Sequence, residues 1–202
     1  MRYPFCYNMS MNITYSKLYF EKYASLTLAE YFHIPDQAFL HAECPDLAIP
    51  SMSIGIEVTQ ALTAQEAAAD KKKYLYNLEV MNPFDQDDDE VSYVYEKIKK
   101  GIERKNEKSA HYSNYEHNGL YIFAHSRRIF PDELKEFFKT ISPVSSFFEV
   151  IYINCVTSLM IYHIKEERIE IVLLPREKLL AMHSKSLAYE KVCTKKVKPI
   201  IL

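Results

Sequence analysis

Glu57 sits in the run Ile54-Gly55-Ile56-Glu57-Val58-Thr59, whose apolar members suit a strand buried on both faces. An ionised carboxylate left unpaired in such a place is costly, so the fold must bring polar or charged partners to it. Pro45-Asp46 precedes it in the chain, with ten residues between Asp46 and Glu57. Pro45 breaks a short strand over 39–42, and 53–59 alternates as a second strand, so Asp46 and Glu57 are expected in adjacent strands or at their ends. Alternation puts Glu57 and Thr59 on one face of that strand and Val58 on the other.

A chain of 202 residues, 48% hydrophobic and 26% charged, can bury one substantial core, and a single domain over 1–202 is expected. The net charge of −2 offers nucleic acid no attraction from the molecule as a whole, so any such footprint has to be local. Gly55, Gly101 and Gly119 are the 3 glycines, and no glycine-rich phosphate loop can be written onto them. Cys6, Cys44, Cys155 and Cys193 lack the close spacing of a zinc site, and reduced thiols in the cytoplasm are the simpler expectation. Residues 1–15 show no basic stretch followed by an apolar one, and no apolar run of about 18 residues occurs, which predicts neither a signal peptide nor a membrane span.

Leu18, Tyr19, Tyr23, Leu26 and Ala29 recur at helical spacing over 15–32, and His33-Ile34-Pro35 ends that helix, which carries Glu21 and Glu30. Thr63-Ala64-Gln65-Glu66 has the form of a capping box, and the alanine-rich stretch behind it predicts a helix over 64–78 bearing Lys71, Lys72 and Lys73. An acidic loop, 81–90, leads to a helix over 91–109 with Val91, Val94, Ile98 and Ile102 on its apolar face. Lys97, Lys99, Lys100, Arg104, Lys105 and Lys108 are assigned to its other face. A polar segment, 111–119, a buried strand over 120–124, a short helix opened by Pro131 and strands over 147–155, 158–164 and 169–174 complete the pattern. The order predicts an α/β (α+β) domain with a mixed central sheet flanked by helices.

Metal-assisted phosphodiester hydrolysis needs hard oxygen ligands that leave coordination positions for water and phosphate, and Asp46 and Glu57 have that chemistry. At these residues the chain resembles the PD-(D/E)xK nuclease superfamily, with its restriction-endonuclease-like fold, as a divergent member. The resemblance rests on Pro45, Asp46, Glu57 and the first-helix glutamates, and extends more loosely to the strand entering the alanine- and lysine-rich helix. It implies Mg2+ or Mn2+ held by Asp46 and Glu57, a contribution from Glu21 as first choice or Glu30 as second, and nucleic acid, foremost DNA, as substrate. A homodimer is compatible with it.

The superfamily's lysine would stand two residues after the glutamate, where this chain has Thr59, which brings no positive charge. A lysine from a neighbouring element could replace it, with Lys73 the first choice among Lys71 to Lys73. Gln60 and Gln65 are further candidates for polar contacts near the metal. The other reading is a nuclease-fold module without catalysis that binds nucleic acid or a protein partner. A plain turn at Pro45-Asp46 with a solvated Glu57 is the bland alternative to both.

Other signals are weaker. Asp85, Asp87, Asp89 and Glu96 match part of a calcium-loop spacing, but Glu90 stands where that loop needs glycine, and acids at a helix start are the better account. His111, Asn114, His117 and Asn118 share residue types with an HNH site without its hairpin-and-helix context. Lys99, Lys105, Lys108 and the tail residues Lys195, Lys196 and Lys198 could face phosphates, or form a solvated surface offset by Glu96, Glu103 and Glu107. Most of the 16 tyrosines are expected in the core or at its edge.

Overall fold

The computed structural model describes residues 15–76, 78–86, 89–113, 115–141 and 143–196. Cys6, Asp87, Asn114 and Lys198, with the side chains of Lys195 and Lys196, lie outside them.

Seven strands form one mixed sheet whose spatial order follows the chain. They are β1 (Leu40–His41), β2 (Leu47–Ile49), β3 (Ile54–Gln60), β4 (His117–Phe123), β5 (Val150–Asn154), β6 (Ser158–His163) and β7 (Arg168–Leu173). The strands β1 to β3 run as an antiparallel meander, β3, β4 and β5 are parallel, and β5 to β7 are antiparallel again. Parallel neighbours need crossovers, and helices supply them: α2 (Ala64–Leu75) and α3 (Val91–Lys108) between β3 and β4, and α4 (Pro131–Thr140) between β4 and β5. The helix α1 (Lys17–Phe32) precedes the sheet and α5 (Arg176–Lys196) follows it.

Strand alternation divides the core into two layers. Ile56, Tyr121, Phe123, Tyr152, Leu159 and Ile161 face the side covered by α1 and α5. Leu120, Ile122, Ile151, Ile153, Met160 and Tyr162 face the side covered by α3 and α4. Glu57 pairs in register with Leu120, and Thr59 with Ile122, so both belong to the α3 side.

The expected elements are present with shifted ends. The capping box forms in both directions, Glu66 N–H to the Thr63 hydroxyl at 3.2 Å and Thr63 N–H to the Glu66 carboxylate at 2.6 Å, but α2 stops at Leu75. The polar segment before β4 is shorter than expected, because His117, Asn118 and Gly119 already pair with Ile54, Gly55 and Ile56. The Ser145 hydroxyl accepts from the N–H groups of Phe147 and Phe148, which keeps those residues in a turn and delays β5 to Val150. Two elements had no expectation in the sequence. The strand β2 is only 3 residues long. The helix α5 buries Leu179, Met182, Ser186 and Glu190, a helically spaced face half of whose members are polar, so it lacks an apolar stripe. Its Glu190 carboxylate accepts from the backbone N–H of Ser16 at 2.5 Å and thereby fixes the approach to α1.

At the far end of the parallel strands, His125 is fully buried behind Phe123. Its Nδ1 lies 3.1 Å from the Asn82 carbonyl and its Nε2 3.1 Å from the Gln60 side-chain amide. Burial pushes its pKa down to about 4 from the ordinary 6.5. The unfolded chain therefore binds the proton more readily, and stability that is present above pH 6.5 is lost as pH falls toward about 4. His125→Gln should flatten the stability profile across that window, removing about 3 kcal/mol of acid sensitivity. Urea denaturation of both proteins along a pH series measures this, and parallel profiles would refute it.

Candidate functional site

Three carboxylates from three elements meet two lysines where α1, β2, β3 and α3 come together. Asp46 stands immediately before β2, and its backbone carbonyl accepts from Ala42 N–H at 3.1 Å to close the β1–β2 turn. Its side-chain Oδ2 accepts from the backbone N–H of Val58 at 2.8 Å, which ties it to β3. This approach depends on Gly55, where a Cβ would come within 2.7 Å of the Tyr115 ring and 3.1 Å of the Pro45 ring. A side chain at Gly55 would displace the Tyr115 ring and press on the Pro45 ring beside it.

Glu57 projects from β3 toward α3, and its carboxylate is 2.7 Å from Lys105 Nζ. The same ammonium lies 3.5 Å from Asp46 Oδ2. On the other side of Asp46, Lys17 Nζ lies 2.8 Å from Oδ1 and 3.2 Å from Glu21 Oε1. The resulting chain is Glu57, Lys105, Asp46, Lys17, Glu21. The three acids are almost completely buried, at 3% exposure for Asp46 and Glu57 and 4% for Glu21. Lys105 is largely enclosed, whereas the Lys17 side chain is 65% exposed at the start of α1.

Charge is not balanced within this group. Burial first, and then the neighbouring Asp46 charge, raise the Glu57 pKa above the ordinary carboxylate value, and Lys105 only partly opposes them. Partial burial disfavours the Lys17 charge, but Asp46 and then Glu21 outweigh it and hold that ammonium above the usual lysine range. Burial, followed by the Glu57 and Asp46 charges, also raises the Tyr112 hydroxyl, and the Tyr112 ring lies 5.8 Å from Lys105 Nζ. Glu57 Oε1 is buried without a hydrogen-bond partner, and so are both ring nitrogens of His41, whose Nδ1 is 4.0 Å from Glu21 Oε2.

The residues singled out from sequence separate clearly. Asp46, Glu57 and Glu21 share the charge chain. Glu30 instead pairs with Lys178 of α5. Lys73 stands 3.5 Å from Asp70 on its own helix, and the lysine on Glu57 is Lys105 from α3. Gln60 is occupied by His125, with its carbonyl 3.4 Å from Arg104. The Thr59 hydroxyl accepts from the Arg104 guanidinium at 2.8 Å, so a cation does approach that position, but from α3. A sequence signal for Lys105 existed: Val94, Ile98, Gly101 and Ile102 are buried on α3, and Lys105 continues that stripe at helical spacing. Lys17 lies one helical turn before Glu21, and Tyr112 gives no local signal.

A cleft of about 610 Å³ opens over the site between α1, β3, α2 and α3. Lys17, Glu21, Asp46, Arg104 and Lys105 form part of its wall; Glu57 does not, and meets the cleft through Lys105. Among the described residues no group of three or more histidine, cysteine, aspartate or glutamate side chains already stands in metal-holding geometry. Asp89 lies 3.2 Å from Lys97, an arrangement that serves to neutralise a buried lysine. No protein-family model matches the chain, and no curated protein or solved structure matches it significantly. No helix among the described residues is long and apolar enough to cross a membrane.

Lys105→Met should destabilise the protein by about 3–5 kcal/mol near neutral pH, because it leaves Glu57 and Asp46 buried beside each other without their shared cation. The deficit should shrink as pH is lowered and Glu57, whose pKa is already raised, takes up a proton. Equilibrium denaturation at two pH values tests both parts, and a deficit independent of pH would contradict the charge argument.

Proposed function

We propose that this chain is a metal-dependent nuclease of the PD-(D/E)xK type that hydrolyses phosphodiester bonds of DNA. The observation that carries the proposal is the placement of Lys105 on Glu57 and Asp46, which supplies from α3 the ammonium absent at Thr59. The mixed sheet between helices agrees with the fold that the sequence resemblance implies.

The donor chemistry of Asp46, Glu57 and Glu21 suits a divalent ion, whose binding would require these acids to draw closer than they stand. Their donors are hard carboxylate oxygens, Glu57 Oε1 lacks a hydrogen-bond partner, and Asp46 adds to burial in raising the Glu57 pKa, which Lys105 only partly opposes. Asp46 and Glu57 would hold the ion, with Glu21 beside Asp46. Magnesium or manganese bound there supplies Lewis-acid polarisation of a phosphate oxygen and makes water a stronger acid. Lys105 has three N–H donors, so it can retain Glu57 while orienting water or a phosphate oxygen in the cleft. Lys17, 65% exposed while paired with Asp46 and Glu21, would place a positive charge at the cleft wall near the incoming backbone. Arg104, anchored on Thr59, contributes a second, fixed one.

With magnesium or manganese the protein should cut DNA, Asp46→Ala and Glu57→Ala should each abolish cutting, and Lys105→Ala should lower its rate on the order of a hundredfold or more. Full activity in these variants would remove the mechanism. Thr59→Lys should give no gain, since the new ammonium would meet the Arg104 guanidinium.

The second reading, a binding module without catalysis, is favoured by the same lysines: Lys17 and Lys105 already neutralise much of the carboxylate cluster. Salt-dependent nucleic-acid binding that needs no divalent ion, with no cutting under magnesium or manganese, would select it.

A further inference from the structure

The cations near the cleft fall into two groups. Along α3, Lys97 is paired with Glu66 and Asp89, Lys99 with Glu103, and Lys100 with Glu96. Arg104 instead hydrogen-bonds neutral groups, the Thr59 hydroxyl and the Gln60 carbonyl, so its charge is not spent on a carboxylate. Lys108, one turn further, and Lys71, across the cleft on α2, are wall residues outside the ion pairs found among the described residues. Positive charge without acidic partners is therefore gathered on the cleft.

The opposite wall has its own character. Ala67, Lys71 and Tyr74 of α2 recur at helical spacing and all line the cleft, while α2 contains no buried residue among its 12. A helix that contributes nothing to the core presents Lys71 and, one turn on, Tyr74, a residue 39% exposed. An aromatic face beside unspent cations is the combination that binds a base together with its phosphates. The volume, about 610 Å³, is on the scale of a drug-sized ligand, which is roughly one or two nucleotide units and far short of a double helix.

From this arrangement we infer that the cleft takes a single nucleic-acid strand, such as an unpaired end or overhang, with its phosphates on Lys71, Arg104 and Lys108 and a base stacked on Tyr74. The inference rests on the nuclease reading for the orientation of that strand toward Asp46 and Lys105. It narrows the substrate from DNA in general to unpaired DNA.

Binding is measured by fluorescence anisotropy in EDTA, which separates it from cutting, with a fluorescein-labelled thymidine oligonucleotide and a blunt duplex of equal length as probes. The single strand should bind at least about tenfold tighter than the duplex. Lys71→Ala and Lys108→Ala should each reduce the salt slope by about 0.7. Tyr74→Ala should weaken binding roughly 5- to 150-fold, and Tyr74→Phe should keep it. Lys99→Ala, on a lysine already paired with Glu103, is the control and should change nothing. Because α2 buries no residue, the Lys71 and Tyr74 variants should fold normally, which circular dichroism checks. Equal or tighter duplex binding, no binding of either probe, or unchanged affinity in Tyr74→Ala would overturn the inference. Tight single-strand binding with no metal-dependent cutting would instead overturn the nuclease reading and leave the strand site standing.

Discussion

Burying Glu57 in the middle of a sheet is the constraint around which the surrounding elements are arranged. A carboxylate on β3 facing the helix layer must be compensated, and α3 supplies the compensation by continuing its apolar stripe with Lys105. Asp46 brings a second negative charge to the same ammonium, and the β3 backbone holds it there through Val58 N–H. Glu21 adds a third acid from α1, and Lys17, one turn before it, closes the chain. Like charges in so dry a place would repel one another, and the two lysines make the cluster tolerable without making it neutral. Burial first, and then the Asp46 charge that Lys105 only partly offsets, leave the Glu57 pKa raised.

The sheet topology makes this meeting possible. The antiparallel meander β1 to β3 returns Asp46 to the flank of Glu57, while the parallel pairing of β3 with β4 requires a crossover, which in this chain contains α2 and α3. The crossover thus serves twice, since it completes the sheet and delivers Lys105, Arg104 and Lys71 to one cleft. The two helices differ in what they give the core. Val94, Ile98 and Ile102 anchor α3 firmly, whereas α2 is held by its capping box and end contacts and leaves its side chains for the cleft and solvent.

Much of the fold was legible because local patterns carry it. The capping box at Thr63, the apolar face of α3, the Pro131 start of α4, the pattern of β3 and the apolar run of β6 are all local chemistry. The missing parts lacked local signals. The buried face of α5 includes Ser186, whose hydroxyl donates to the Met182 carbonyl of its own helix, and Glu190, which the approach of α1 provides with the Ser16 N–H, and β2 is too short to show a period. Within the site, Asp46, Glu57 and Glu21 could be singled out by residue type and context. Gln60 could not be separated from them by sequence, since its engagement with His125 spans 65 positions.

The sequence by itself determined that a carboxylate would lie in an apolar strand, with a second one at a proline turn nearby and a helix bearing further acids before them. It did so because strand alternation, proline geometry and helical spacing act over a few residues. Only the tertiary structure decided which cation answers them. Lys73 and Lys105 are alike in chemistry and both stand on helices after β3, yet one pairs with Asp70 on its own helix and the other with Glu57. The difference comes from the register of α3 against β3, fixed by the burial of Val94, Ile98 and Ile102, and that register is a property of the packed core.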